Sequence, residues 1–147
     1  MDAVRFILGI HAHQPVGNLP EVFEQAYQRS YVPFLDILGE FPQVPFALHY
    51  SCVLLDWMES AHPEFLDRLA GLVAQGQIEL LTGGYYEPIL SAIPDADKIG
   101  QIQRMTACLA ERFGVRPRGM WLAERVWEPH LAKPIAAEAL DRALGRL

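Results

Sequence analysis

Thiols are scarce in this chain of 147 residues: there are two cysteines, Cys52 and Cys108, and no C-x-x-C spacing. That scarcity argues against a thiolate metal framework and a disulfide-stapled secreted scaffold. Each cysteine sits in an apolar stretch, the usual setting of a free core thiol, so a reducing compartment is expected. Long hydrophobic runs are missing as well. No stretch approaches the roughly 18 apolar residues of a membrane span, and the apolar run at residues 4–10 is too short, and too soon followed by histidine, to be a signal peptide. A cytoplasmic location is the resulting expectation. Positive charge is the third shortage: 12 Lys and Arg face 18 Asp and Glu, for a net charge of −6. Such a balance repels phosphate backbones and anionic lipid, which argues against nucleic acid and membranes as partners. Neutral polar ligands bring no charge to be repelled. Repeats, low-complexity tracts and linkers are also lacking, and with 51% apolar and 20% charged residues the length fits one domain with a real core.

What is present is an alternation of two periodicities. Residues 4–10 are apolar apart from Arg5, as in a strand buried on both faces, and Pro15, Gly17 and Asn18 break the run. A helix is expected from about Pro20, with Phe23, Tyr27, Phe34 and Leu38 on its apolar face and a break or kink at Pro33. Residues 44–52 read as a second strand, 60–74 as a helix opened by Ser60 with Glu64 in its first turn, and 77–82 as a third strand ended by Gly83 and Gly84. After a long loop, Asp95 is a plausible N-cap for a helix reaching Phe113 and closed by Gly114. A fourth strand at 119–124 precedes a helix from Pro129 through Ile135, Leu140 and Leu144, with Gly145 near its end. Four strand–helix alternations favour an α/β fold with a parallel sheet.

In such folds the loops after the strands' C-terminal ends form the active face, and here those ends are polar and aromatic. Alternation along the fourth strand puts Met120, Leu122 and Glu124 on one face, so a carboxylate continues an apolar stripe at the strand's mouth. Burial there demands partners, with Arg125 or the first-strand histidines as candidates; a purely structural Glu124–Arg125 ion pair fits the spacing equally well. Glu79 interrupts the apolar third strand between Ile78 and Leu80, and either serves the site or is a satisfied core polar group. His11 and His13, two apart on a strand, face the same side and can ligate a metal, donate to sugar hydroxyls or sit satisfied in the core. Trp121, Trp127, Tyr85 and Tyr86 gather at strand ends, where they can stack on sugar faces or simply pack.

Three motifs occur in a characteristic order: His11-Ala-His13-Gln-Pro15; Gly76-Gln77-Ile78-Glu79 leading to Gly83-Gly84-Tyr85-Tyr86-Glu87-Pro88; and Trp121-Leu-Ala-Glu124-Arg-Val-Trp-Glu-Pro129. Together with Phe23-Glu24-Gln25-Ala26-Tyr27, Arg29-Ser30-Tyr31 and Pro33 they span nearly the whole chain, which resembles glycoside hydrolase family 57, its 4-α-glucanotransferases and α-amylases above all. The resemblance implies the N-terminal part, about four β/α units, of an incomplete seven-stranded TIM-like barrel, with residues 1–147 forming part of one catalytic domain. It implies a retaining mechanism on α-glucans or maltooligosaccharides, with no required metal or organic cofactor. Glu124 matches the family's nucleophile. His11, His13 and Glu79 match residues lining the subsite of the attacked sugar, Trp121 matches an aromatic of that pocket, and Gly83 and Gly84 match a small residue followed by glycine, as close backbone approach requires.

One departure concerns the acid. The family's general acid/base is an aspartate on a later strand, and Asp141, in Ala139-Leu140-Asp141-Arg142, is expected to face solvent on a helix. The segment alone is therefore expected to be inactive, and its open sheet edges to invite self-association. Two other readings remain at this level: a metal-dependent hydrolase using His11-x-His13 with His49 as a further ligand, and a non-catalytic carbohydrate-binding remnant.

Overall fold

The computed structural model describes residues 6–139; Val4, Arg5, Leu140, Asp141, Leu144 and Gly145 lie outside them. Four parallel strands run in the order β1 (Gly9–Ala12), β2 (Phe46–Tyr50), β3 (Ile78–Thr82) and β4 (Gly119–Met120), so each strand lies beside its neighbour in sequence. Parallel neighbours need crossovers, and helices supply them: α1 (Pro20–Ala26) and α2 (Val32–Gly39), then α3 (Cys52–Ala61) and α4 (Pro63–Ala74), then α5 (Asp95–Phe113), with α6 (Ala132–Ala139) following β4. The expected α/β class and parallel sheet are present.

One face of the sheet carries the core. Phe46, Leu48 and Tyr50 of β2 and Ile78 and Leu80 of β3 point into a cluster with Leu35, Leu54, Met58, Leu69 and Met105, all nearly or fully buried. Each such side chain contributes about 1.5–3 kcal/mol by leaving water. Alternation sends Ala47, His49, Glu79 and Leu81 to the opposite face. The register aligns Gly9 with Ala47 and Glu79, and His11 with His49, so that second face presents histidines near the strand ends and Glu79 one layer below.

The boundaries differ from the sequence reading in five places. The first strand is shorter and later than residues 4–10. Phe6 and Ile7, expected to be buried, are exposed, because β1 pairs only with β2 among the described residues. The second strand stops at Tyr50: the chain turns helical at Cys52, and Ser60 lies in the last turn of α3, not at a helix start. The helix expected from Ser60 opens instead at Pro63, whose missing N–H costs nothing in a first turn. Asp95 is the first residue of α5, with Pro94 at the cap, whereas Gly114 closes it in the left-handed conformation as expected. The fourth strand ends at Met120, four residues short of Glu124.

Pro33 does not break its helix. Between α1 and α2 the residues Tyr27–Tyr31 widen into one π-helical turn, and the Val32 N–H reaches the Tyr27 carbonyl. Proline inside an α-helix removes a bond and crowds the carbonyl four residues back; the wider turn accommodates both. Tyr27 and Tyr31 stay buried across it.

Candidate active site

The parallel register makes the site's floor. His11 on β1 lies beside His49 on β2, and their Nδ1 atoms are 3.0 Å apart, one hydrogen bond's distance. Trp121 stacks on His11, ring centroids 4.3 Å apart and planes within 10°. The Trp121 backbone N–H donates to the Thr82 carbonyl at 2.8 Å, which extends the β3–β4 pairing past the strand and sets where the indole lies. Gly83 completes the fit: a Cβ at that position would lie 2.7 Å from His49 Nε2. His13 follows β1, its ring parallel to that of His11 with centroids 6.3 Å apart, so the two histidines do share a side. Gln14 next to it is fixed by donating to the Tyr31 hydroxyl and accepting from Asn18 Nδ2.

Two carboxyl groups border this floor, both on unusual backbone. Among the described residues, the non-glycine positions with positive φ are Glu87 (52°), Glu124 (54°) and Arg125 (56°). Left-handed conformations cost such residues on the order of 1 kcal/mol or more and cluster where function holds them. For Glu87 the strain is compounded by Pro88, since a residue before proline prefers extended backbone. The Glu87 N–H donates to the Gly84 carbonyl, so the Gly83–Gly84 stretch folds the loop back and tucks the carboxyl under the histidines. Its side chain is only 6% exposed; Oε1 lies 3.4 Å from His11 Nε2 and Oε2 faces His13 Nδ1. Glu124, in the short turn Ala123–Arg125, is exposed.

Burial sets the protonation of the group. It pushes the Glu87 carboxyl up to about 7, helped by the negative charge of Glu124. It pulls His49, fully buried, down to about 3, with the neighbouring His11 and His13 adding to the effect. His11 and His13 are lowered by the same desolvation, and Glu124 pulls the other way on both. Near neutral pH the site thus offers uncharged imidazoles, a carboxyl that still holds part of its proton, and the exposed Glu124. A buried acid beside a second carboxylate is the arrangement that divides acid and nucleophile roles. Trp121 Nε1 and His49 Nε2 are buried without a hydrogen-bond partner among the described residues, a further mark of a functional site.

The sequence candidates fare unequally. His11, His13 and Trp121 come together, and Glu124 acts on the histidines and Glu87 through its charge. Glu124 does so from a turn beyond the strand, so it does not continue the Met120–Leu122 stripe, and no Glu124–Arg125 ion pair forms among the described residues. Glu79 is not drawn into the cluster: it is half-exposed, one layer below the histidines, 3.6 Å from Arg118 Nε. Tyr85 is committed elsewhere, its hydroxyl donating to Asp56 and its ring covered by Arg104, while Tyr86 and Trp127 stay exposed. Glu87 stands in the second sequence motif, and its local signal is an acidic residue pinned between a Gly-Gly turn and a proline. Among the described residues one set can hold a cation, His11, His49 and Glu87, with donor atoms within 4.8 Å of one another. It includes Glu87 where sequence spacing suggested His13.

Comparison with known proteins gives concordant results. The sequence profile of Glycosyl hydrolase family 57 matches residues 7–141. Alpha-amylase 1 of Dictyoglomus thermophilum is 48% identical over 139 residues, 95% of this chain and 20% of that protein. A 4-alpha-glucanotransferase of Thermococcus kodakarensis is 48% identical over 141 residues, 96% of this chain and 21% of its own length. The crystal structure of 4-alpha-glucanotransferase from Thermococcus litoralis superposes with a TM-score of 0.91 at 45% identity, over 95% of this chain and 22% of that one. The chain thus spans about a fifth of the length of the curated relatives it matches.

Proposed function

This chain belongs to glycosyl hydrolase family 57, and from that membership we propose that it carries the nucleophile half of a retaining α-glucan-active site, hydrolytic or transferring. Its four strands are then the first of an incomplete seven-stranded TIM-like barrel. Glu124 attacks the anomeric carbon and forms a glycosyl ester, while a second carboxyl protonates the leaving oxygen; in retaining enzymes the pair stands about 5–5.5 Å apart. His11 and His13 hydrogen-bond the hydroxyls of the attacked sugar, Trp121 backs the pocket through His11, and Glu79 contacts the same sugar from the layer below. The observation that carries the reading is the coincidence at one spot of two strained carboxyl-bearing residues, Glu87 and Glu124, with stacked aromatic and imidazole rings.

The acid is proposed to come from outside residues 1–147, with Glu87 orienting the two histidines. Glu124→Gln in a full-length context then abolishes turnover of maltooligosaccharides, measured chromatographically, and spares binding. Retention of more than about a tenth of the rate would remove Glu124 from the role, since losing a nucleophile usually costs orders of magnitude. Residues 1–147 alone show no turnover on this reading. One observation favours a second assignment, the Glu87 carboxyl raised to about 7 beside Glu124: product formed by residues 1–147 alone, and lost in Glu87→Gln, would give the acid role to Glu87.

A further inference from the structure

Cys52 and Cys108 take no part in the site above, and nothing in their sequence spacing pairs them, yet they meet between the first residue of α3 and the middle of α5. Cys52 Sγ lies 2.8 Å from Cys108 Sγ and 3.0 Å from Met105 Sδ, and the two thiols are unbonded. Their environments are unequal. Cys52 is fully buried, whereas Cys108 is partly exposed. Arg112, one turn beyond Cys108 on α5, holds its guanidinium 2.7 Å from Asp56 and 2.5 Å from Glu59 of α3, so the two helices are already tied beside the sulfurs.

We propose that Cys52 and Cys108 are an oxidation site: a thiol pair that closes to an intramolecular disulfide by exchange with small-molecule disulfides, with Cys108 reacting first. Exchange requires a thiolate that solvent can reach. Cys108 qualifies, because the S–H donated by Cys52 and the Arg112 guanidinium hold its thiol below the ordinary range against the opposing effect of burial. The hydrogen bond to Cys108 and burial push Cys52 up, which keeps it a thiol until its turn comes. In the first step Cys108 Sγ⁻ attacks one sulfur of R–S–S–R, forming Cys108–S–S–R and releasing RS⁻. In the second, Cys52 attacks Cys108 Sγ, forming the Cys52–Cys108 bond, and its proton passes to the departing sulfur, which leaves as RSH. Two protein thiols are oxidised and one small disulfide is reduced to two thiols. Closure needs little movement, since the sulfurs at 2.8 Å must approach to about 2.05 Å. The resulting crosslink ties the helix that begins directly behind His49 to the helix behind the Glu87 loop.

The test is incubation of the 147-residue chain with oxidised glutathione, followed by thiol counting and peptide mass mapping without reduction. The expected result is loss of both free thiols, a Cys52–Cys108 linked peptide short of two hydrogen masses, no retained glutathione, and a Tm raised by several degrees because the closed loop restricts the unfolded chain. Cys52→Ser is expected to trap glutathione on Cys108, and Cys108→Ser to leave Cys52 unreactive without denaturant. Persistent glutathione on Cys108 of the wild-type chain, disulfide-linked dimers, or two thiols still free after oxidation would each overturn the proposal. The wild-type map decides the matter even if a variant fails to fold.

Discussion

At the scale of single residues, His49 and Glu87 pull stability in opposite directions with pH. The folded-state pKa of His49 is lowered from 6.5 to about 3, so between those values the unfolded chain binds the extra proton and stability falls as pH drops through the window. For Glu87 the folded value is raised from 4.5 to about 7, and there the sign reverses: its contribution is fully present below pH 4.5 and is lost as pH rises through about 7. Thermal melts from pH about 4 to about 8 separate the two. Replacing His49 by Asn is expected to flatten the acid-side decline of Tm. With Glu87→Gln, the wild type should gain on the variant as pH falls from 7 towards 4.5. Difference curves flat with pH would mean that neither group is perturbed in the folded chain. That His11, His13 and Trp121 gather at one place was legible, because polar and aromatic types stood where strands end. The burial of Glu87 was not legible, since it depends on a loop fold with no period to read.

Among the elements, β3 is anchored by a side chain as well as by its ladder. Gln77, just before the strand and 5% exposed, donates from Nε2 to the carbonyls of Leu38 and Phe41, 2.9 and 3.0 Å away. These carbonyls belong to the end of α2 and the turn after it, where a helix leaves acceptors without intrahelical partners. Gln77→Leu keeps the volume and removes both bonds but leaves the carbonyls their backbone donors, the N–H groups of Phe41 and Val44, so a loss of about 0.5–1.5 kcal/mol is expected, read from urea unfolding midpoints at unchanged slope. A change under a few tenths of a kcal/mol would mean that water takes over the amide's role. The same part of the chain shows why some elements were misread. The run Cys52-Val53-Leu54-Leu55 is apolar without interruption, and such a run fits a buried strand or a buried helix equally well. The structure resolves it as α3, with Cys52, Leu54, Leu55 and Met58 facing the core. Helix α5, by contrast, was legible almost to the residue, because Gly114 supplies a terminator whose left-handed conformation few other residues tolerate.

For the molecule as a whole, the uneven covering of the sheet matters most. Helices bury one face, and Phe6 and Ile7, just before the edge strand β1, are more than 80% exposed. Edge strands carry unpaired donors and acceptors, and next to apolar side chains they favour pairing with another chain. Residues 1–147 in isolation are therefore expected to self-associate, with an apparent mass by size exclusion and light scattering that rises with concentration, and Ile7→Lys is expected to suppress the rise. A concentration-independent monomer would show that the edge is protected.

The π-turn at Tyr27–Tyr31 bears on which length changes the chain can tolerate. It accommodates one residue more than a regular α-helical turn would, so removing Arg29 from its exposed side shortens the segment to an ordinary register. The flanking turns then keep their facing, so Leu35 and Leu38 stay in the core, and the cost falls on Pro33, whose ring is set against a regular turn. Deleting Arg29 should therefore leave the near-ultraviolet circular dichroism in place while lowering Tm, whereas Arg29→Ala should leave both unchanged. Loss of the near-ultraviolet signal on deletion would mean that the widened turn itself sets the facing of α2.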